Sequence, residues 1–252
     1  MKMTTALIST FTLVLLISLG AEAKIRTSWV EYKSGKETVR AYLAQPEGDG
    51  PFPAIIVIHE WWGLNAWVKG NAEHFVQQGY VALAIDLYRG GVASSSDEAH
   101  ELMRGVPEDR AARDLKAADT FLKTLKIVKK NRIGSIGWCM GGGYSLAAAL
   151  NVRSLAACVI CYGRLATEKE EIEKIPCPVL GIFGQDDRGI TPTSVKEFEE
   201  AAMGEGKEVR TVIYPDAGHA FMNPNNKGGY RDSAAIDAWK QILSFMESTL
   251  KK

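Results

Sequence analysis

The segment 137–141 reads Gly-Trp-Cys-Met-Gly, which has the spacing of a nucleophile elbow with cysteine in place of serine. It follows an apolar run at 133–138 that predicts a strand, and it precedes small residues at 144–150 that predict a helix. In such a unit the helix N-terminus favours a thiolate, and the amide of Met140 points to where a negatively charged oxygen would develop. We therefore predict that Cys139 is a nucleophile rather than a buried structural cysteine.

A cysteine nucleophile needs a general base, and His219 fits that role by its place in the chain. In elbow enzymes the nucleophile is followed first by an acid and then by the histidine. His219 is the only histidine after Cys139, and it lies in the segment 216–221 before the C-terminal helix. The remaining histidines precede the nucleophile: His59, His74 and His100.

Two neighbouring aspartates could orient this histidine. The predicted strand at 179–183 runs into Gly-Gln-Asp-Asp, so Asp186 and Asp187 both lie on a loop between the nucleophile and His219. A carboxylate there can hold the imidazole in the tautomer that a base requires. Spacing does not choose between the two, whereas a third carboxylate, Asp216, better fits a turn.

The loop after the predicted strand 54–58 reads His-Glu-Trp-Trp-Gly and should complete the oxyanion site. In this fold the loop supplies the second backbone amide, here that of Trp61. Glu60 then lies beside the nucleophile, where an unpaired carboxylate is costly, so we predict that it interacts with the thiol rather than with a surface cation. His59 fits a structural hydrogen bond better than a catalytic role.

Aromatic residues near these loops are candidates for the walls of a substrate pocket. Small-molecule sites are lined mainly by apolar and aromatic side chains. Core packing explains the same residues equally well. The candidates are Trp61, Trp62, Tyr88 and Phe221.

The elements that would hold these residues alternate between strands and helices. Apolar runs typical of a sheet covered on both faces occur at 54–58, 81–85, 133–138, 155–162, 179–183 and 209–214. Helical segments are clearest at 108–128 and at 230–250, where one face is predicted to carry Ile236, Trp239, Leu243, Met246 and Leu250. Runs at 25–32 and 38–44 predict a hairpin. The class is therefore α/β: a single domain with a doubly wound, mostly parallel sheet and an antiparallel N-terminal hairpin.

Composition excludes several classes of protein. Of the 252 residues 46% are apolar and 24% charged, which excludes a disordered, collagen-like or coiled-coil chain. Basic and acidic residues number 30 each, so we expect no nucleic acid as a partner.

The four cysteines are too few for a disulfide scaffold. Cys158 and Cys161 have the spacing of a zinc or redox pair, but they lie in an apolar run without further ligands, so we predict core cysteines.

Residues 1–23 read as a secretory signal peptide. Lys2 gives a positive start, residues 6–20 carry no charge, and Ala-Glu-Ala ends the segment at Ala23. The uncharged run is shorter than the roughly 20 apolar residues of a membrane-spanning helix. We expect cleavage after Ala23, export to the periplasm or the medium, and no membrane attachment of the mature domain at 24–252.

Taken together, the motifs resemble the dienelactone hydrolase family, a branch of the α/β hydrolases, over essentially the whole of the mature chain. The matching segments are 59–63, 86–88, the cysteine elbow, 184–187 and 218–221. The resemblance implies the α/β-hydrolase fold, no metal or organic cofactor, and Asp187 as the acid of a triad with Cys139 and His219. It also implies that Glu60 keeps the resting thiol protonated or held aside until substrate displaces it.

The implied activity is hydrolysis of a small lactone or ester through an acyl-enzyme, with the amides of Trp61 and Met140 holding the oxyanion. Dienelactone-specific members bind the substrate carboxylate through two arginines. Here Arg89 falls one place from the position of the first arginine, and Asn223 occupies the position of the second. Together with the signal peptide, these departures favour an ester or lactone found outside the cell over dienelactone itself. Alternatives are a general short-chain carboxylesterase or thioesterase, or a non-catalytic binding protein on the same fold. We expect a monomer or weak dimer.

Overall fold

The computed structural model describes residues 24–252, so the predicted signal peptide lies outside the described residues. Its strands are β1 (Ile25–Ser34), β2 (Glu37–Pro46), β3 (Phe52–Ile58), β4 (Val81–Ile85), β5 (Val128–Trp138), β6 (Ala157–Cys161), β7 (Val179–Gly184) and β8 (Val209–Tyr214). Its helices are α1 (Ala66–Gln77), α2 (Ser96–Arg104), α3 (Glu108–Thr124), α4 (Met140–Asn151), α5 (Lys169–Ile172), α6 (Pro192–Gly204) and α7 (Asp232–Leu250).

The eight strands form one sheet in the order β1-β2-β4-β3-β5-β6-β7-β8. β1 pairs antiparallel with β2, and β2 pairs antiparallel with β4, whereas the pairs from β4 to β8 are parallel. This arrangement confirms the predicted α/β-hydrolase fold with an antiparallel N-terminal hairpin. Because parallel strands point the same way, the loops after β3, β5, β7 and β8 meet at one edge of the sheet.

Helices cover both faces of the sheet. Along β3, Ile56 and Ile58 belong to the core shared with α3 and α4, whereas Ile55 and Val57 belong to the core shared with α1 and α7. All four side chains are fully buried. Because both faces of the strand are buried, apolar residues do not alternate with polar ones, and the strand has a continuous apolar sequence.

Two helical predictions are wrong in detail. The helix predicted at 108–128 ends at Thr124, because Val128 already begins β5 and pairs with Phe52. In α7, Ile236 is 50% exposed, and the buried residues are Ala235, Ala238, Ile242, Met246 and Leu250. Small alanines fit where the helix approaches the sheet, so the bulky Trp239 instead packs sideways against His74 and Phe75.

Cys158 and Cys161 are core cysteines, as predicted. Both are fully buried in β6, and Cys158 Sγ lies 3.4 Å from the carbonyl oxygen of Ser145. Burial raises the pKa of Cys158 to about 11 and that of Cys161 well above its usual range, so both stay protonated.

No helix in residues 24–252 has the length and apolarity needed to span a membrane.

Candidate active site

Cys139 occupies the sharp turn between β5 and α4. Its backbone has φ +57° and ψ −120°, a conformation that is costly for a residue with a side chain. Its amide donates to the carbonyl oxygen of Cys161 at 3.0 Å, which fixes the turn to the neighbouring strand β6. The half-buried thiol thereby projects from the strand end into a pocket.

The glycines at either end of the elbow are required by close packing. A Cβ atom on Gly137 would collide with the carbonyl oxygen of Gly141. A Cβ atom on Gly141 would collide with the carbonyl oxygens of Ile58 and His59 at the end of β3. The Gly-x-Cys-x-Gly spacing therefore reflects the contact between the elbow and the adjacent strand.

His219 and Asp187 form a hydrogen-bonded pair in the same pocket. His219 Nδ1 lies 2.7 Å from Asp187 Oδ2, and Asp187 Oδ1 accepts from the amides of Gly189 at 2.8 Å and Ile190 at 3.0 Å. Burial alone would raise the pKa of Asp187, but these hydrogen bonds lower it overall. Asp186 is exposed, so of the two aspartates left open by spacing it is Asp187 that contacts His219.

The environment of His219 favours the protonated ring. Burial lowers the pKa of an imidazole, but hydrogen bonds and charge interactions with Asp187 and Cys139 outweigh it and raise the pKa of His219 to about 10. The ring also packs edge-on against Tyr162, with 5.3 Å between centroids. An imidazolium held in this way is positioned to deliver a proton within the pocket.

Glu60 is a buried carboxylate in the same pocket as Cys139 and His219. Its Oε2 atom accepts from Asn223 Nδ2 at 2.6 Å, whereas Oε1 has no well-aligned hydrogen bond within residues 24–252. Burial raises the pKa of Glu60 to about 7, against the lowering influence of Asn223, the charge of His219 and the Tyr162 hydroxyl. Glu60 therefore changes its protonation state near neutral pH, with one oxygen free for another partner.

The backbone amides of Trp61 and Met140 are available as oxyanion donors. Both residues line the pocket, and neither amide donates to another group within the described chain. Met140 is the first residue of α4, where the helix dipole also favours negative charge. The Tyr88 hydroxyl lies 3.0 Å from the Trp61 carbonyl oxygen and holds this loop in place.

His59 has the structural role that the sequence predicts. Its Nε2 accepts from the Leu87 amide at 3.2 Å, so Nδ1 carries the proton and donates to the Glu60 carbonyl oxygen at 2.6 Å. Burial lowers the pKa of His59, which keeps the ring neutral. The histidine thus fixes the backbone from which Glu60 and Trp61 project.

The pocket has a volume of about 870 Å³ and a mixed aromatic and amide lining. Trp61 and Trp62 line it. Tyr88 lies behind the Trp61 loop instead, and Phe221 is fully buried against Tyr162 and Tyr214. The predictions of Tyr88 and Phe221 as pocket walls are therefore wrong, because packing partners distant in sequence turn both rings into the protein.

Several residues that line this pocket belong to none of the catalytic motifs and could not be predicted from them. From the sequence, Asn223 stands only where dienelactone-specific relatives have an arginine, but in the structure its amide donates a hydrogen bond to Glu60. The sequence feature that points to more of the polar lining is the segment 223–226, Asn-Pro-Asn-Asn, which continues the His219 loop. The remaining lining includes Asn65, His100, Met103, Asn225, Asn226 and Lys227.

Arg89, predicted to bind substrate, lies outside this pocket. Its Nη2 atom lies 2.8 Å from Asp114 Oδ2 and 2.8 Å from Glu37 Oε2. The Asp114 side chain is completely buried, so its charge requires a cationic partner. The guanidinium is thereby committed to joining the N-terminal hairpin to α3, and the prediction is wrong for that reason.

Replacing Arg89 with methionine should lower the free energy of unfolding by about 2 kcal/mol, because the buried Asp114 loses its partner. The kcat/KM ratio between a carboxylate-bearing ester and its neutral counterpart should stay within about twofold. Urea unfolding and steady-state kinetics check both results. Arg113→Met, which removes half-exposed contacts to Glu37 and Asp109 and leaves the buried Asp114 paired, is the matched control. A selective loss of the anionic substrate would instead place Arg89 at the site.

Comparisons with known proteins agree with this geometry. The model of the dienelactone hydrolase family matches residues 39–250. The protein usf of Aquifex pyrophilus is 32% identical in sequence, over 88% of this chain and 98% of its own length. A candidate carboxymethylenebutenolidase of Methylorubrum extorquens is also 32% identical, over 81% of this chain and 75% of its own length. The crystal structure of a candidate dienelactone hydrolase from Klebsiella pneumoniae superimposes with a TM-score of 0.81 at 26% identity, covering 88% of this chain and 98% of the other. The chain described here therefore belongs to the dienelactone hydrolase family.

Proposed function

We propose that the chain, a carboxylic ester hydrolase by its family, cleaves small esters or lactones through covalent catalysis by Cys139, His219 and Asp187. One observation carries the proposal. The 2.7 Å hydrogen bond between His219 and Asp187 faces the pocket into which the strained elbow projects the Cys139 thiol. Nucleophile, base and orienting acid come from loops after three different strands, β5, β8 and β7, and converge at one point.

The first half of the reaction forms an acyl-enzyme. The thiol proton of Cys139 first passes to His219. The sulfur then attacks the carbonyl carbon, a C–S bond forms, and the carbonyl electrons move to the oxygen, which accepts hydrogen bonds from the amides of Trp61 and Met140. When the intermediate collapses, the C–O bond of the ester breaks, and the alcohol leaves with a proton from His219. The acyl group remains on Cys139 as a thioester.

The second half regenerates the thiol. His219, now neutral, accepts a proton from water as the water oxygen attacks the thioester carbonyl. The C–S bond breaks, the carboxylic acid leaves, and His219 returns its proton to the sulfur, which restores the thiol. Asp187 holds the ring in one tautomer throughout and remains ionised.

Glu60 is proposed to control the resting thiol. Its Oε1 atom is buried without a well-aligned hydrogen bond in the pocket that Cys139 enters, so it can accept a hydrogen bond from the thiol. A substrate that displaces this contact would release the thiol toward His219. Asn223 positions the carboxylate through its 2.6 Å hydrogen bond.

Glu60→Gln should stabilise the folded protein at pH 8 but not at pH 4.5. The folded-state pKa of Glu60 is raised to about 7, above its unfolded value, so the ionised wild-type side chain destabilises the fold at higher pH. The neutral amide removes this penalty, and the variant should gain about 3 kcal/mol at pH 8. Urea unfolding at the two pH values measures the difference. An equal gain at both would show that the ionisation of Glu60 is not its source.

No guanidinium lines the described pocket, and its one lysine, Lys227, is exposed, which favours an uncharged ester over a carboxylate-bearing lactone. Asn223 occupies the position beside Glu60, and Arg89 is held in its ion pairs. A substrate carboxylate near Glu60 would meet a second negative charge above pH 7. This observation supports the second candidate, a general short-chain carboxylesterase.

A hydrolysis panel tests the proposal. Purified residues 24–252 would be assayed with short acyl aryl esters, an acyl thioester and a dienelactone under reducing conditions. Turnover of neutral esters with weaker turnover of the dienelactone is the expected result. No hydrolysis of any substrate by the folded protein would contradict the proposal and favour a binding role.

We also propose that the chain is exported after removal of residues 1–23. Support comes from the sequence alone, where an uncharged run precedes Ala-Glu-Ala. N-terminal sequencing of protein recovered from the producing cells should begin at Lys24. A retained Met1 would contradict export by this route.

A further inference from the structure

A second cavity of about 580 Å³ lies against the active-site pocket, along the outer side of α4. Two residues, Met103 and Met140, line both cavities. We call the second cavity the α4 groove. Only these methionine side chains are shared by the two linings, so they form the partition between the groove and the space above Cys139.

The α4 groove has an apolar floor and an acidic rim. Half-buried apolar side chains form the floor: Tyr144, Ala147, Leu150 and Leu165. Exposed charged residues form the rim: Glu108, Asp109, Arg164 and Glu171. Arg164 contacts Glu108 at 3.5 Å and Arg113 contacts Asp109 at 3.8 Å, which leaves Glu171 as the excess negative charge of the rim and disfavours an anionic group.

The partition is built from adaptable side chains. Methionine has three rotatable bonds and a polarisable sulfur, which lets it re-pack around ligands of different shape. Met140 is held from one side, because the Tyr88 hydroxyl lies 3.2 Å from its Sδ atom. Met103 comes from the separate helix α2 and is half-buried, so its movement would open the groove without disturbing the elbow.

We propose that the α4 groove binds the uncharged apolar arm of the ester, an alkyl or aryl substituent that passes between Met103 and Met140. The inference rests on the proposed esterase function and adds to it a subsite for one class of substituent. Three observations lead to it: the shared methionine partition, the apolar floor and the acidic rim. The arm belongs to either the acyl or the alcohol part of the ester, and the two parts are distinguished by experiment.

The effect of the groove should grow with chain length. Full burial of one methylene corresponds to about a fourfold gain in binding, and the open groove should provide about twofold per methylene. Esters differing by four methylenes should therefore differ by about 16-fold in kcat/KM through this contact.

The test compares two ester series in three variants. The acyl series is p-nitrophenyl butanoate against octanoate, and the alcohol series is butyl acetate against octyl acetate, followed by acid release. Ala147→Phe fills the groove floor and should lower the long-to-short ratio of kcat/KM about tenfold in one series. Met103→Ala removes part of the partition and should raise the same ratio about threefold. Ala234→Phe, a half-buried site on α7 outside both cavities, should leave the ratios unchanged.

Each outcome decides the inference. A lower ratio in the acyl series places the acyl chain in the α4 groove, and a lower ratio in the alcohol series places the alcohol chain there. If Ala147→Phe does not fold, the increase expected for Met103→Ala decides, because a damaged protein would not gain a preference for longer chains. Hydrolysis with unchanged ratios overturns the groove alone, whereas no hydrolysis by the wild type overturns the proposed function as well.

Discussion

Replacing Cys139 with alanine should lower kcat/KM for the best ester by at least about 10³-fold. Without the sulfur no acyl-enzyme forms, and the remaining amides and His219 provide only the residual catalysis of a site that binds substrate and water. Single-turnover experiments should show no burst of released alcohol. The loss should appear in kcat, because alanine leaves the walls of the pocket unchanged.

Cys177→Ala is the matched control for this variant. That thiol is also free, and it is buried before β7 at the opposite end of the sheet from the pocket. Its removal should leave kcat/KM within about twofold. Equal activity in the Cys139→Ala variant and the wild type would exclude the cysteine as nucleophile and direct attention to attack by water.

Replacing Asp187 with asparagine should lower kcat by about 10³-fold. The amide cannot compensate the imidazolium charge, and it permits the wrong tautomer of His219. The carboxylate contributes to the raised pKa of His219, about 10, so the pKa should fall in the variant and the imidazole should lose its proton at lower pH. NMR titration of the ring and a pH–rate profile measure the two effects.

Asp186→Asn provides an adjacent control of the same chemistry. Asp186 is exposed, whereas Asp187 has only 4% exposure and accepts three hydrogen bonds. The control should keep nearly full activity and an unchanged His219 titration. Comparable losses in both variants would mean that the net negative charge of the loop matters more than the hydrogen bond to His219.

The nucleophile, the base and the fold could be predicted from sequence because each has a local signal. The elbow needs glycines within five residues, and the order of nucleophile and histidine reduces four histidines to one. Continuous apolar runs likewise indicate buried strands. These predictions depend on neighbours in the chain.

The choice between Asp186 and Asp187 depends on how the turn folds. The amides of Gly189 and Ile190 converge on one carboxylate only, and that convergence has no sequence pattern beyond the family resemblance. Arg89 shows the same limit at longer range, since its partners Glu37 and Asp114 are 52 and 25 residues away along the chain. The direction of a loop side chain is decided by such distant contacts.

The order of the strands separates the catalytic loops from one edge of the sheet. All of the proposed catalytic side chains follow β3, β5, β7 or β8, whereas the β1–β2 hairpin forms strand pairs outside itself with β4 alone. Such an edge can open locally without global unfolding. Amide hydrogens of the hairpin should then exchange with solvent faster than those of β3 and β5, and partial opening there would leave turnover intact. The hairpin is accordingly the segment where the chain can vary in rigidity without changing its chemistry.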